Sequence, residues 1–106
     1  METLFVYLKT PKGYNMGTIT AICLLSQLFP TCDITYVDRV ITCEKMVVIY
    51  SSDDFDNGVF LESIDGDVPI LHMINISTGQ PPSLSHPNQH FYHIKEKDRI
   101  LENLKN

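Results

Sequence analysis

The sequence predicts a small three-layer α/β domain with a mainly parallel sheet of about four to five strands. Three observations carry that reading. The runs TLFVYLK (3–9), KMVVIYSS (45–52) and VPILHMIN (68–75) are continuously apolar rather than alternating. Strands buried on both faces look like this, and parallel sheets covered by helices bury both faces. A helical segment also separates the first run from the next strand-like stretch, the opening of a strand–helix–strand unit. Finally, 106 residues with 43% hydrophobic and 20% charged content suit one globular unit, taken as a single domain over 1–106.

Each element follows from local chemistry. The first strand ends at TPKGYN (10–15), where Pro11 and Gly13 signal a loop. MGTITAICLLSQLF (16–29) is apolar at Ile19, Ile22, Leu25 and Phe29, with a second row at Ala21, Leu24 and Leu28. That spacing predicts a helix with a broad buried face, stopped by Pro30. Cys23 is expected in its core face, and Cys43 in the core beside a strand. DITYVDRV (33–40) reads as the second strand and KMVVIYSS as the third, with the fourth at 68–75. ISTGQPPSLSHPNQ (76–89) reads as a long loop. The alternation in HFYHI suggests a fifth strand or edge segment with Phe91 inward, and 95–106 an amphipathic helix docking through Ile100, Leu101 and Leu104.

Charge is unevenly spread. Residues 33–67 hold nine acids against Arg39 and Lys45, a balance of −7, while the remainder balances at +2. An acidic middle argues against direct nucleic-acid binding. No apolar run approaches the roughly 20 residues of a membrane-spanning helix, and no basic-then-apolar leader opens the chain. Cys23, Cys32 and Cys43 stand singly, which fits reduced thiols in the cytoplasm rather than a disulfide framework. Asn75-Ile76-Ser77 matches a glycosylation acceptor by chance in that setting. The spacing of His86, His90 and His93, with His72 upstream, fits no established site, so no metal and no cofactor are expected.

SSDDFDNGVFLES (51–63) follows the most apolar strand and crowds Asp53, Asp54, Asp56 and Glu62 into one loop and its sequel. In an α/β sheet such a loop opens at the carboxyl edge, where ligands bind. Packed acids raise one another's pKa, and a carboxylic acid so raised can protonate a leaving group. The plainer alternative is that Asp56 or Asn57 caps the turn that follows. TPKGYN joins strand to helix and could face an anion, with Lys12 adding charge and Tyr7 or Tyr14 offering a ring to a base.

With these residues in place, LFVYLKTPKGYN, then DRVITCEKMVVIYSSDDFDNGVFLES, then VPILHMIN resembles the nucleoside 2-deoxyribosyltransferase-like proteins. These are small flavodoxin-like domains that make or break N-glycosidic bonds and are often phage-encoded. The resemblance covers about residues 3–75. It rests on Asp56-x-Gly58-x-x-x-Glu62 between two apolar strands. It implies Glu62 as the nucleophile and Asp56 as its acid or base partner. Tyr7, Lys9, Thr10, Gly13, Tyr14, Asp53, Asp54 and Gly58 would contact a nucleoside or nucleotide. It also implies a homodimer and, for a phage protein, the host cytoplasm.

The chain departs from the family in two places. Lys9 and Thr10 replace its usual Ala-Gly, and the stretch from Glu62 to Pro69 is shorter, so the helix carrying Glu62 must be short and end near Asp65-Gly66-Asp67. Those departures favour an alternative. In it, the protein binds without catalysis, either sequestering a nucleotide-derived ligand or inhibiting a partner by acidic nucleic-acid mimicry.

Overall fold

The computed structural model describes residues 2–9, 16–77, 79 and 86–105, excepting the side chain of Lys105. The elements are β1 (Thr3–Lys9), α1 (Met16–Leu28), β2 (Asp33–Val37), β3 (Lys45–Tyr50), α2 (Asn57–Glu62), β4 (Ile70–Asn75), β5 (Gln89–His93) and α3 (Lys97–Lys105). All five strands are parallel, in the order β2-β1-β3-β4-β5. This is the α/β architecture expected, consistent with a small flavodoxin-like domain. The strands are shorter than the apolar runs: β2 stops at Val37, β3 at Tyr50, and β4 begins at Ile70.

β3 holds the centre because its residues can be buried on both sides: Met46 to Tyr50 are each 0% exposed. Its odd and even positions feed two cores. Val47 and Ile49 join Leu4, Val6 and Ile74 beneath α1 and α3. Met46, Val48 and Tyr50 join Leu71, Met73 and Phe60 beneath α2 and the 38–44 segment.

That segment returns the chain from β2 across β1 to β3 with no helix. Val40, Ile41 and Cys43 supply its apolar underside. The Cys43 thiol donates to the Lys45 carbonyl at 3.4 Å and packs partly into the core as expected, and burial raises its pKa.

α1 turns differently from its strongest sequence row. Thr18, Ala21, Leu24 and Leu25 face inward, while Ile19 is 47% exposed and Cys23 is exposed. The buried face draws on both rows, running from Thr18 through Ala21, Leu24 and Leu25 to Phe29 beyond the helix end. The expectation of a core Cys23 is therefore corrected. α3 docks through Ile100 and Leu104 as its pattern predicts, with Leu101 partly buried.

The outer edge of β5 is closed by its own continuation. Leu71 donates to the Asn88 carbonyl and Ile94 to the Asn75 carbonyl, so the even positions of this strand face β4. Phe91 and His93 then turn their backbone groups outward. The Glu96 carboxylate accepts from the His93 N–H at 2.8 Å, and Arg99 donates to the Phe91 carbonyl at 3.0 Å. Glu96 and Arg99 pair at 3.1 Å, so one ion pair blunts the exposed edge.

Candidate functional site

In this strand order the direction of winding reverses between β1 and β3. The carboxyl ends of those strands diverge there, and such a crevice is where open α/β sheets bind ligands. Lys9 and Tyr50, the last residues of β1 and β3, are register partners at this point, and Asn75 and His93 continue the row on β4 and β5.

The loops above the row are stitched together around Asn75. Its side-chain oxygen accepts from the Ser77 N–H at 3.0 Å, the Ser77 hydroxyl at 2.8 Å and the Ser52 N–H at 3.3 Å. Its amide donates to the Gly79 carbonyl at 3.1 Å. His93 accepts from the Lys95 N–H through Nδ1, so Nε2 carries the proton and donates to the Ser77 carbonyl at 2.7 Å. Gly79 is required here, because a β-carbon would collide with the Ser52 hydroxyl.

The acidic stretch lies on this scaffold. Asp53 and Asp54 are exposed in the turn after β3. Asp56 is the N-cap of α2, extended at φ −114° and ψ 110°, and its Oδ1 accepts from the Val59 N–H at 3.2 Å. A β-carbon on Gly58 would lie 3.4 Å from that oxygen, so glycine leaves the carboxylate room. Glu62 is the last residue of α2 and is exposed. The helix ends as its sequence indicates: the Ser63 hydroxyl donates to the Phe60 carbonyl at 2.6 Å, and Gly66 makes the turn at φ +93°.

Asp56 and Glu62 thus stand at opposite ends of one short helix. Six positions of a helix advance about 9 Å along its axis. Thr10, Gly13 and Tyr14 lie outside the described residues.

What the structure does bring together is aromatic. Tyr50 packs on Phe55 at 4.6 Å, Phe55 on Phe60 at 5.3 Å, and Phe60 on Tyr7 at 6.4 Å with rings 30° apart. At the Tyr7 end a groove of about 360 Å³ opens between α2 and the 38–44 segment, lined also by Arg39, Thr42, Ser63 and Asp65. At the other end the Tyr50 hydroxyl is fully buried with no hydrogen-bond partner among the described residues, and burial pushes its pKa to about 12. A buried polar group left unpaired costs about 1–3 kcal/mol.

Sequence reasoning marked Tyr7 but missed Arg39, Phe60, Tyr50 and the Asn75 stitch. A small polar residue after each inner strand, in Tyr50-Ser51-Ser52 and Asn75-Ile76-Ser77, was the available signal.

A second polar cluster lies below α3. His72 is 5% exposed, hydrogen-bonds Tyr92 through Nδ1 at 3.0 Å, and stacks on His90 at 5.4 Å. Arg99 covers the Tyr92 ring at 4.9 Å. Burial first, then the charges of His90 and Lys45, hold the His72 pKa down at about 4. Among the described residues no three His, Cys, Asp or Glu side chains are grouped to hold a metal ion, and no helix is long and apolar enough to cross a membrane.

No protein-family model matches the chain, and neither a curated protein nor a solved structure matches it.

Proposed function

We propose that this chain is a binding domain for a nucleoside or nucleotide, seated between α2 and the 38–44 segment. The observation that carries the reading is the groove over Tyr7 of β1 on the α2 face of the sheet. It sets two aromatic rings, Tyr7 and Phe60, next to the Arg39 guanidinium and the Thr42 and Ser63 hydroxyls. The half-buried Tyr7 ring, backed by the buried Phe60, offers a face for a base to stack on, and a guanidinium donates to a phosphate or a sugar oxygen. The surrounding margin is acidic: Asp53, Asp54, Asp56, Glu62 and Asp65 are all exposed. A ligand of low negative charge therefore fits better than a polyphosphate.

A second reading is favoured by the placement of Asp56-x-Gly58-x-x-x-Glu62 directly after a buried parallel strand. In it, Glu62 attacks the anomeric carbon of a nucleoside to form a glycosyl ester, and Asp56 protonates the departing base. Water or a second base then cleaves the ester.

One experiment separates the two. The protein is incubated with the four common deoxynucleosides and their 5′-monophosphates, with binding measured by calorimetry and free base by chromatography. The binding reading expects affinity without base release, unchanged in Glu62→Ala and lost in Tyr7→Ala and Arg39→Ala. Base release that disappears in Glu62→Ala replaces it with the catalytic reading.

A further inference from the structure

We infer that the Tyr50 hydroxyl is a ligand-binding donor and that Phe55 is the gate over it. The inference rests on the binding reading above and names the residue that gives the site its polar specificity.

Tyr50 ends the central strand at the switch point, with Lys9 on one side and Asn75 on the other. Its side chain is 0% exposed and its hydroxyl is unpaired among the described residues. The neighbouring Asn75 side chain is engaged elsewhere: its oxygen accepts from Ser52 and Ser77, and its NH2 donates to Gly79. With its ionisation held off by burial, the phenol stays a donor across the physiological range.

The only ring between Tyr50 and the open groove is Phe55 in the described aromatic row, which runs Tyr50, Phe55, Phe60, Tyr7. Phe55 sits in an irregular loop and is only partly buried. Around it, the Ser52 stitch and the Asp56 cap fix both ends of the loop, leaving Phe55 between two anchors. Phe55 packs on Tyr50 and on Phe60, a wall of the 360 Å³ groove, so its outward displacement is the route by which a ligand acceptor meets the hydroxyl. Burying a hydroxyl against an acceptor discriminates strongly, because a ligand lacking that acceptor leaves the donor unpaired.

The test uses the whole chain and the same eight compounds, with Tyr50→Phe and Phe55→Leu. Tyr50→Phe removes one oxygen and keeps the ring. We expect it to melt at the same temperature as wild type or higher, and to bind the best compound about tenfold more weakly. Phe55→Leu, with a smaller gate, is expected to associate faster. Equal affinity in Tyr50→Phe and wild type overturns the inference while leaving the binding reading intact. A drop of several degrees in Tyr50→Phe overturns it too, since the hydroxyl would then already serve the fold. Wild type binding none of the eight removes the binding reading and this inference with it.

Discussion

The hydroxyl oxygens of Ser52 and Ser77 lie 2.5 Å apart, joining the loop after β3 to the loop after β4. Because the Ser77 hydroxyl donates to Asn75, the Ser52 hydroxyl is the donor of this contact. The direction matters: Ser52 cannot rotate away without breaking the chain of bonds that ends on Asn75. Gly79 backs onto that same oxygen with no room for a side chain.

Gly79→Ala should therefore destabilise the fold by about 1–3 kcal/mol, the usual cost of forcing extra atoms into a packed site. Ser52→Gly should lose its own hydrogen bond yet relieve the clash. The double variant should then be more stable than the sum of the single losses, a coupling that urea denaturation of all four proteins measures. Strict additivity would mean the two loops do not meet this way.

His72 makes stability depend on pH. Its folded pKa of about 4 lies below the ordinary value of 6.5, so in that window the unfolded chain binds a proton that the folded chain refuses. Its contribution is complete above pH 6.5 and is lost as pH falls toward 4. The full loss amounts to roughly 3 kcal/mol. His72→Gln keeps a group able to meet Tyr92 and removes the titration. The stability difference between wild type and His72→Gln should shift in favour of the variant between pH 7 and pH 4.5, read from urea midpoints. The carboxylates, which titrate in both proteins, cancel in that comparison.

The framework was legible because burial on both faces leaves a direct mark on composition. β3 reads as a solid apolar run and is fully buried, and α3 carries Ile100 and Leu104 at helical spacing and docks through them. Side-chain partnership leaves no such mark. Cys23 and Ile19 sit among apolar neighbours in sequence, yet the helix buries the face containing Thr18, because tertiary fit outweighs local periodicity. The same limit applies to the site. Asp56 and Glu62 stood out by charge, whereas Arg39 and Phe60, distant in sequence from Tyr7, became neighbours only through the crossing of the 38–44 segment.

The β5 edge predicts a change in association rather than in stability. Glu96 and Arg99 are both substantially exposed, so their pairing adds little to folding. They do occupy the outward His93 N–H and Phe91 carbonyl. Glu96→Ala with Arg99→Ala should cost little beyond the Arg99 contact with the Tyr92 ring, while exposing an edge able to pair with another strand. Sedimentation or light scattering across concentrations should show self-association of the double variant beyond that of wild type.

Asp56 offers the sharpest separation of structure from chemistry. As an N-cap its carboxylate oxygen satisfies the Val59 N–H, a task that asparagine performs equally well. Asp56→Asn should therefore fold with wild-type stability, whereas Asp56→Ala should lose about 1 kcal/mol and fray α2. The binding reading expects Asp56→Asn to bind as wild type does. Asp56→Ala should bind more weakly, because Phe60, a wall of the groove, is carried on the frayed helix. The glycosidic reading expects the reverse emphasis: Asp56→Asn cannot give up a carboxylic proton, so base release would collapse in a fully folded protein. Denaturation curves and ligand titrations on these two variants distinguish a residue that holds a helix from one that moves a proton.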